Sequence, residues 1–119
     1  MTHFVLKKQI RPGVIVLEIR DSIRMGPKCR HLEQLVDEVI RQNEKWVIFD
    51  LSRVPFVDSC AVGTIVTILG RLKNAGGTLR LTGVTEMVEG VLKLTQVTRL
   101  IEIFPTVAEA SRDLPVVAG

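Results

Sequence analysis

The feature that most constrains the fold is a short segment, residues 45–51, that is apolar on both of its alternating faces. It consists of Lys-Trp-Val-Ile-Phe-Asp-Leu, so the side chains from Trp46 to Phe49 are all apolar. Successive residues of a strand point to opposite sides of a sheet, and a strand with one wet side therefore alternates apolar with polar residues. The segment instead predicts a central strand covered on both sides, which calls for a sheet flanked by helices.

An antiparallel hairpin is predicted ahead of this strand. Residues 3–10 and 14–20 have strand character. In the second stretch, Val14, Val16 and Glu18 alternate with Ile15, Leu17 and Ile19. Arg11, Pro12 and Gly13 lie between them and supply a tight turn. We therefore expect the first two strands to be neighbours in the sheet.

Two amphipathic helices are predicted, one before and one after the central strand. In residues 28–42 the apolar positions recur at intervals of three and four, with Pro27 tolerated in the first turn. Residues 60–74 show the same spacing with more apolar residues, so this second helix should be more deeply buried. Gly63 lies inside it, and we expect this glycine to permit close packing on the sheet.

The remaining segments continue the alternation of strand and helix. A strand is predicted at 78–82, then a helix capped by Thr85, a strand at 100–103 and a last helix with a capping box of Thr106 and Glu109.

Such alternation favours parallel pairing through right-handed crossovers. We therefore predict one α/β domain over residues 1–119, with its core at about 3–114. It should contain a mixed sheet of four to five strands, an N-terminal antiparallel hairpin and about four helices.

Composition and charge argue against several classes of protein. No apolar run approaches the roughly 20 residues needed to cross a bilayer, and the N-terminus lacks the order of a secretory signal. We expect a cytoplasmic protein that does not bind membranes. The net charge is +3, but the basic residues are scattered and aromatic residues make up 4% of the chain, so we also expect no nucleic-acid binding.

The sequence indicates no catalytic residue, cofactor or metal site. A phosphate-cradling Gly-x-x-x-x-Gly-Lys-Ser/Thr loop and the spacing of metal ligands are both lacking. Cys29 and Cys60 are expected to be free thiols, with Cys60 a small residue packed under the preceding loop. His31 should lie on the solvated side of the first helix. We therefore expect a protein that is not an enzyme.

The most informative segment for function connects the central strand to the second helix. Asp50 ends the strand, and residues 51–59 lead to the N-terminus of the helix. In open α/β sheets, ligands and partners bind beyond the carboxyl ends of the strands. Asp58 or Ser59 is also a good N-cap for this helix, and capping alone would account for either residue.

Residues 49–63 resemble the signature of the STAS family (sulfate transporter and anti-sigma factor antagonist). In that family a hydrophobic strand and a short loop precede Asp-Ser-Ser-Gly-Leu-Gly at the start of a helix, and residues 58–63 are Asp-Ser-Cys-Ala-Val-Gly. Residues 73–81 are similar to the family's Gly-Gly turn and following strand, and residues 91–104 to its third helix and last strand. The resemblance covers nearly the whole chain, in order and without large gaps.

The resemblance implies a regulatory binding module that takes part in partner switching. An unmodified anti-sigma factor antagonist captures an anti-sigma factor of the serine-kinase type and so frees the sigma factor. Phosphorylation by that kinase, on the second serine of the motif, ends the binding, and a phosphatase could restore it. The implied partners are thus an anti-sigma factor and a phosphatase, and the chain itself is expected to be a monomer or a weak homodimer.

The chain departs from the family pattern at the phosphorylated position, where Cys60 replaces the serine. A thiol is not a normal substrate of a serine kinase, so Ser59 is the candidate for phosphorylation. A Ser59 hydroxyl used for capping would point toward the backbone. Arg24 stands where family members often carry an acidic residue.

The predicted contact surface joins the loop around residues 24–27 to the loop 52–58 and the first turn of the second helix. Its candidate partner-binding residues are Arg24, Gly26, Pro27, Arg53, Val54, Pro55, Asp58, Ser59, Cys60 and Ala61. We expect charge reversal at Arg24 or Asp58 to weaken partner capture and to leave the melting temperature nearly unchanged.

One rival fold is disfavoured, and two alternative functions remain. A receiver domain would also place an aspartate, here Asp50, at the end of a central strand, but the accompanying acidic pair and lysine are not evident. A thiol-based redox sensor would use Cys60, at the N-terminus of a helix, as its reactive thiol. A constitutive STAS scaffold without phosphorylation would bind its partner permanently, and we favour that behaviour over a switch at Ser59.

Overall fold

The computed structural model describes residues 4–115, which form five strands and four α-helices. The strands are β1 (Val5–Arg11), β2 (Val14–Ile19), β3 (Trp46–Asp50), β4 (Thr78–Thr82) and β5 (Glu102–Phe104). The helices are α1 (Pro27–Arg41), α2 (Ser59–Asn74), α3 (Glu86–Leu94) and α4 (Val107–Ser111), with a 3-10 turn at Val97–Arg99. The order of elements is the predicted one. His3, assigned to the first strand from sequence, lies outside the described residues.

The strands form one mixed sheet in the order β1-β2-β3-β4-β5. β1 pairs antiparallel with β2, and all the other neighbours pair in parallel. Pro12 and Gly13 make the hairpin turn, and Gly13 has a φ of 86°, which glycine adopts without strain. The predicted fold class is confirmed. The antiparallel edge and the sequential order differ from the 2-1-3-4-5 order of receiver-type sheets.

β3 is covered on both sides, as its sequence predicts. Val47 and Phe49 belong to the larger core, to which α1, α2 and α3 contribute their apolar sides. Ile48 belongs to a smaller cluster on the opposite side, where Ala110 of α4 packs. None of the three β3 side chains is more than 1% exposed. The apolar pattern of residues 45–51 therefore has a direct structural cause.

Two arginines hold the C-terminal segment on the side of the sheet that we call the α4 face. Arg80 of β4 is 8% exposed, and its Nη1 donates to the Ala110 carbonyl oxygen at 2.7 Å and to Asp113 Oδ1 at 2.6 Å. Arg11 donates from Nη2 to the carbonyl oxygens of Ser111 and, at 2.8 Å, Leu114. These bonds satisfy backbone acceptors at the end of α4 that have no partner within the helix.

Two predictions need correction, the start of β5 and the cap of α3. β5 begins at Glu102 rather than at residue 100, because the amides of Leu100 and Ile101 donate to the Val97 carbonyl oxygen and extend the preceding turn. Thr85 precedes α3, but its hydroxyl does not cap the helix and donates to the Val54 carbonyl oxygen at 3.1 Å. The expected cap of α4 is present, since Thr106 Oγ1 accepts from the Glu109 amide at 3.2 Å.

The expectation for Gly63 is wrong. This residue is exposed on α2, and a Cβ added there would meet nothing within 4 Å. It therefore does not pack on the sheet. A close approach occurs instead at Gly77, where an added Cβ would lie 1.9 Å from the Lys45 carbonyl oxygen. The backbone of β4 can pass β3 at this point only because residue 77 has no side chain.

Candidate functional site

Two loops meet at the carboxyl ends of the central strands, and we call this region the loop pole. It comprises the β2–α1 loop (residues 20–26), the β3–α2 loop (residues 51–58) and the first turn of α2 (residues 59–62). Ile23 and Val57 form a parallel bridge between the two loops. The Ile23 amide donates to the Phe56 carbonyl oxygen at 3.0 Å, and the Asp58 amide donates to the Ile23 carbonyl oxygen at 3.2 Å. The two loops therefore lie side by side, as expected.

Asp58 fastens both loops to the start of α2. Its Oδ1 accepts from the Ala61 amide at 2.8 Å and caps the helix, and its Oδ2 accepts from the Met25 amide at 2.9 Å. Both bonds favour the ionised carboxylate, so the Met25 amide first and the Ala61 amide second lower the pKa of Asp58. One carboxylate thus serves as helix cap and as a link between the loops.

Apolar side chains fix the loops from below. Ile23, Leu51, Val54 and Val57 are each 0% exposed and belong to the larger core. The Thr85 bond to the Val54 carbonyl oxygen adds a link from the start of α3. The loop pole therefore has a defined shape without a bound partner, since its backbone is held by core packing and by hydrogen bonds.

Arg24 lies on the outer side of the pole. Its guanidinium carbon is 4.7 Å from the centre of the Phe56 ring, within the range of a cation–π contact. Its carbonyl oxygen accepts from Cys29 Sγ at 3.3 Å, which fixes the backbone while the side chain remains exposed. Among residues 4–115, no ion pair involves Arg24, although its charge contributes to the lowered pKa of Asp58.

A second group of charges surrounds Glu18 at the end of β2. Its Oε1 lies 2.9 Å from Arg20 Nε and its Oε2 lies 3.4 Å from Lys8 Nζ. The bond from Arg20 is the main reason that the pKa of Glu18 is lowered. Arg53 approaches the same carboxylate only to 3.8 Å and keeps 66% of its side chain exposed. Arg53 is therefore weakly paired and faces solvent.

Ser59 and Cys60 are both exposed in the first turn of α2. Asp58 takes the cap, and within residues 4–115 no side-chain hydrogen bond involves the Ser59 hydroxyl. The expected placement of Cys60 under the loop is wrong, because this residue faces solvent. Cys29 is the buried thiol of the two, and both cysteines are free, as predicted.

Expectations for three further residues of the predicted contact surface, Val54, Asp58 and Ala61, need correction. Val54 and Ala61 were candidate contact residues, but both are 0% exposed, because the tight turn at residues 51–54 and the inner side of α2 direct them into the core. The expectation that charge reversal at Asp58 leaves stability unchanged is also unsupported, since its carboxylate makes two backbone hydrogen bonds. Arg24, Pro27, Arg53, Pro55, Ser59 and Cys60 are exposed, whereas Gly26 and Asp58 are half-buried.

Sequence reasoning missed two exposed methionines near the site. Met25 follows Arg24 and is 75% exposed, and Met87 in the first turn of α3 is 60% exposed. Met87 and Pro55 line the same shallow depression, together with Thr85 and Glu86. The sequence already places Met25 in the loop of residues 24–27, next to Arg24, and this position could have identified it as a contact residue. The exposure of Met87 depends on how α3 packs.

The exposed side chains of the loop pole suit contact with another protein. The pole combines a backbone held by hydrogen bonds with exposed arginines and exposed apolar side chains, which are features of a contact surface.

Two further observations concern the described part of the chain. No group of three or more His, Cys, Asp or Glu residues there is placed to hold a metal ion. In the same residues, no helix is both long and apolar enough to span a membrane.

Comparison with known proteins identifies the family. The family profile of the STAS domain matches residues 6–110. The chain therefore belongs to the STAS domain family, and the resemblance inferred from residues 49–63 is confirmed.

Individual relatives agree with this assignment. A Thermotoga maritima protein named "putative anti-sigma factor antagonist" is 35% identical over 106 residues, which cover 89% of this chain and 94% of the relative. The crystal structure of a Thermotoga maritima protein of the same description superposes with a TM-score of 0.84 and 29% identity, covering 94% of this chain and 95% of that chain.

A more distant structure shares the fold. The anti-sigma factor antagonist SpoIIAA in its unphosphorylated form superposes with a TM-score of 0.70 at 14% identity, covering 92% of this chain and 94% of that chain. The family profile and the 35% identical relative show that the chain is a STAS domain of the anti-sigma factor antagonist type.

Proposed function

We propose that this STAS domain captures an anti-sigma factor of the serine-kinase type through the loop pole. Capture would withdraw the anti-sigma factor from its sigma factor, so the chain would act as a positive regulator of transcription. The names of its relatives support the class of partner, and the chemistry of the pole supports the location.

The link made by Asp58 is the observation that carries this proposal. It joins the β2–α1 loop, the β3–α2 loop and the start of α2 through bonds to Met25 and Ala61 of 2.9 and 2.8 Å. Two segments distant in sequence, residues 20–26 and 51–62, thereby form one surface that exists before a partner arrives. A preformed surface loses little conformational entropy on binding, which favours affinity.

The second part of the proposal is that binding is constitutive, because position 60 lacks the hydroxyl that the family's kinases modify. Ser59 is the one remaining hydroxyl of the motif, and it is exposed at a helix N-terminus. If a kinase partner does modify the chain, the phosphate should therefore be on Ser59. A phosphate there would add roughly −1.5 to −2 charges to the contact surface.

Calorimetric titration tests the location of binding. Each anti-sigma factor kinase encoded in the source genome is titrated with the wild-type chain, with Cys60→Trp and with Lys73→Trp. Cys60 is in the first turn of α2 and Lys73 in its last, and both are exposed. We expect Cys60→Trp to abolish binding by steric block and Lys73→Trp to retain it. No binding by the wild-type chain, or equal binding by both variants, would refute the proposed site.

Intact-mass spectrometry tests phosphorylation. The chain is incubated with the kinase that binds it and ATP, with Ser59→Ala as the control that locates any phosphate. We expect the wild-type chain to remain unmodified and Cys60→Ser to gain a phosphate, because serine restores a hydroxyl at the family's position. If Cys60→Ser accepts none from a kinase that binds it, the family mechanism does not apply to this loop.

A thiol-based sensor is the second candidate, and the exposure of Cys60 is the observation that favours it. Under this alternative, peroxide treatment should reduce capture of the anti-sigma factor by the wild-type chain and leave Cys60→Ala unaffected. Cys29 is buried and serves as the internal control. Equal capture before and after oxidation would remove this candidate.

A further inference from the structure

The polarity of the loop pole defines the partner more narrowly than the family does. Arg24 stacks on Phe56 and has no ion-pair partner among residues 4–115. Arg53 keeps 66% of its side chain exposed and lies 3.8 Å from Glu18 Oε1, a carboxylate that Arg20 already occupies at 2.9 Å. Two guanidinium groups on adjacent loops are therefore available to an incoming surface.

Most acidic groups near the pole are directed inward, and the exposed Asp21 is paired, since its Oδ2 lies 2.6 Å from Lys28 Nζ while 61% of its side chain is exposed. Asp58 accepts from the amides of Met25 and Ala61, and Asp50 Oδ1 accepts from the Ser52 amide at 3.0 Å. Glu18 is 14% exposed and is held by Arg20 and Lys8. Apart from the Asp21–Lys28 pair, the exposed charged residues of the two loops are arginines.

Two other features support a positively charged contact surface with apolar groups. α1 begins at this pole behind Gly26, and among residues 4–115 no side chain caps its N-terminus, so the positive end of its dipole is not compensated there. Each loop also carries an exposed apolar side chain close in sequence to its arginine, Met25 after Arg24 and Pro55 after Arg53. The pole therefore offers apolar and positively charged groups on both of its loops.

From this geometry we infer that the bound segment of the partner is acidic, with carboxylates placed opposite Arg24 and Arg53 and apolar side chains that contact Met25 and Pro55. This inference rests on the proposed function for the identity of the partner, and it adds the chemistry of the contact. Arginine suits such a role because its planar guanidinium binds a carboxylate through two parallel hydrogen bonds. Association should accordingly slow as salt is added.

Nuclear magnetic resonance titration with synthetic peptides tests the inference without the anti-sigma factor. The probes are a short glutamate–leucine peptide and the matching lysine–leucine peptide, added to the isotope-labelled chain. We expect the glutamate peptide to shift the backbone amides of residues 22–26 and 52–60, and the lysine peptide to leave them unchanged. Binding of both peptides alike, or shifts confined to other basic residues, would overturn it.

Charge-reversal variants sharpen the test. Arg24→Glu/Arg53→Glu should weaken binding of the glutamate peptide by about tenfold or more, because like charges then face each other. The matched control is Arg41→Glu/Arg99→Glu, which reverses two exposed arginines away from the pole, at the end of α1 and in the 3-10 turn. The control should stay within about twofold of wild type. Equal losses in the two pairs would show a non-specific charge effect and overturn the inference.

Binding measurements with the anti-sigma factor itself separate the proposed function from the inferred acidic character of the bound segment. If it binds the wild-type chain and Arg24→Glu/Arg53→Glu equally, the inferred polarity is wrong while the proposed function stands. If the glutamate peptide maps to the pole but no anti-sigma factor binds, the proposed function fails and the polarity stands.

Discussion

The loop pole and the α4 face both contain arginine and aspartate side chains, but these side chains are exposed and buried in opposite ways in the two regions. On the α4 face the arginines point inward, and Arg80 is 8% exposed with its guanidinium bonded to Ala110 and Asp113. Its acidic partner Asp113 is outside, with 70% of its side chain exposed. At the pole the arrangement is reversed, since Asp58 is bonded to backbone amides and Arg24 is exposed.

This contrast separates charges that stabilise the fold from charges that are available to a partner. A charged group with several fixed hydrogen bonds costs stability when it is removed, because its former partners are left unsatisfied. An exposed and unpaired charge contributes little to stability. We therefore expect substitutions on the α4 face to affect folding and substitutions of pole arginines to affect binding.

The largest effect should come from Arg80→Ala, which removes the donors to the Ala110 carbonyl oxygen and to Asp113. We expect the free energy of unfolding to fall by about 3 kcal/mol in urea titration, since hydrogen bonds to charged groups contribute most when buried. Arg24→Ala should lose less than about 1 kcal/mol, the cation–π contact with Phe56 being exposed. Similar losses in the two variants would contradict the comparison.

A smaller effect is expected at Asp58. Asp58→Ala removes the cap of α2 and the link to Met25, and should lower the free energy of unfolding by about 2 kcal/mol. Asp58→Asn keeps one acceptor oxygen and should lose about half as much. A loss of less than about 0.5 kcal/mol for Asp58→Ala would mean that the carboxylate does not hold the loops together.

The same carboxylate gives a pH test with a defined sign. The pKa of Asp58 is lower in the folded chain than in the unfolded one, so its contribution to stability is present above about pH 4 and is lost as the pH falls through the folded value. The stability difference between wild type and Asp58→Asn should therefore narrow below about pH 4. If the stability difference between the two proteins is constant from pH 7 to pH 3, the ionised Asp58 carboxylate is not its cause.

The smallest effect should come from Gly63→Ala in α2. Gly63 is exposed in the helix with open space around it, so Gly63→Ala should raise the free energy of unfolding by about 0.5–1 kcal/mol. Gly77→Ala is the opposing control and should lower the free energy of unfolding by more than this gain, because its Cβ would lie 1.9 Å from the Lys45 carbonyl oxygen, which belongs to the backbone. Thermal melting of both variants measures the change in stability. If Gly63→Ala is destabilised, Gly63 is required for close packing on the sheet, as first expected from the sequence.

Most of the fold was predictable from local patterns. The apolar segment at Trp46–Asp50 identified the central strand, and the periodicity of α1 and α2 identified the helices on the larger core. The errors arose where a side chain had a choice of partners. Thr85 could cap α3 or bond to Val54, and only the packed structure determines which carbonyl or amide is near.

The meeting of the two loops of the candidate site was predictable, but the burial of their side chains was less so. Spacing and resemblance placed both loops at one end of the sheet, because parallel strands present their carboxyl ends together. Burial within the loops was not predictable, so Val54 and Ala61 were misassigned as contacts and Cys60 as buried. A loop without regular periodicity gives no sequence signal for which of its side chains face the core.

Hydrogen exchange of the complex tests the central claim most directly. The wild-type chain is mixed with an excess of the anti-sigma factor it binds, and amide exchange is followed by mass spectrometry with and without the partner. The account predicts slower exchange in residues 20–28 and 52–62, with α4 (Val107–Ser111) and β5 unchanged. Protection centred on α4 or β5, with the loop pole unchanged, would contradict it.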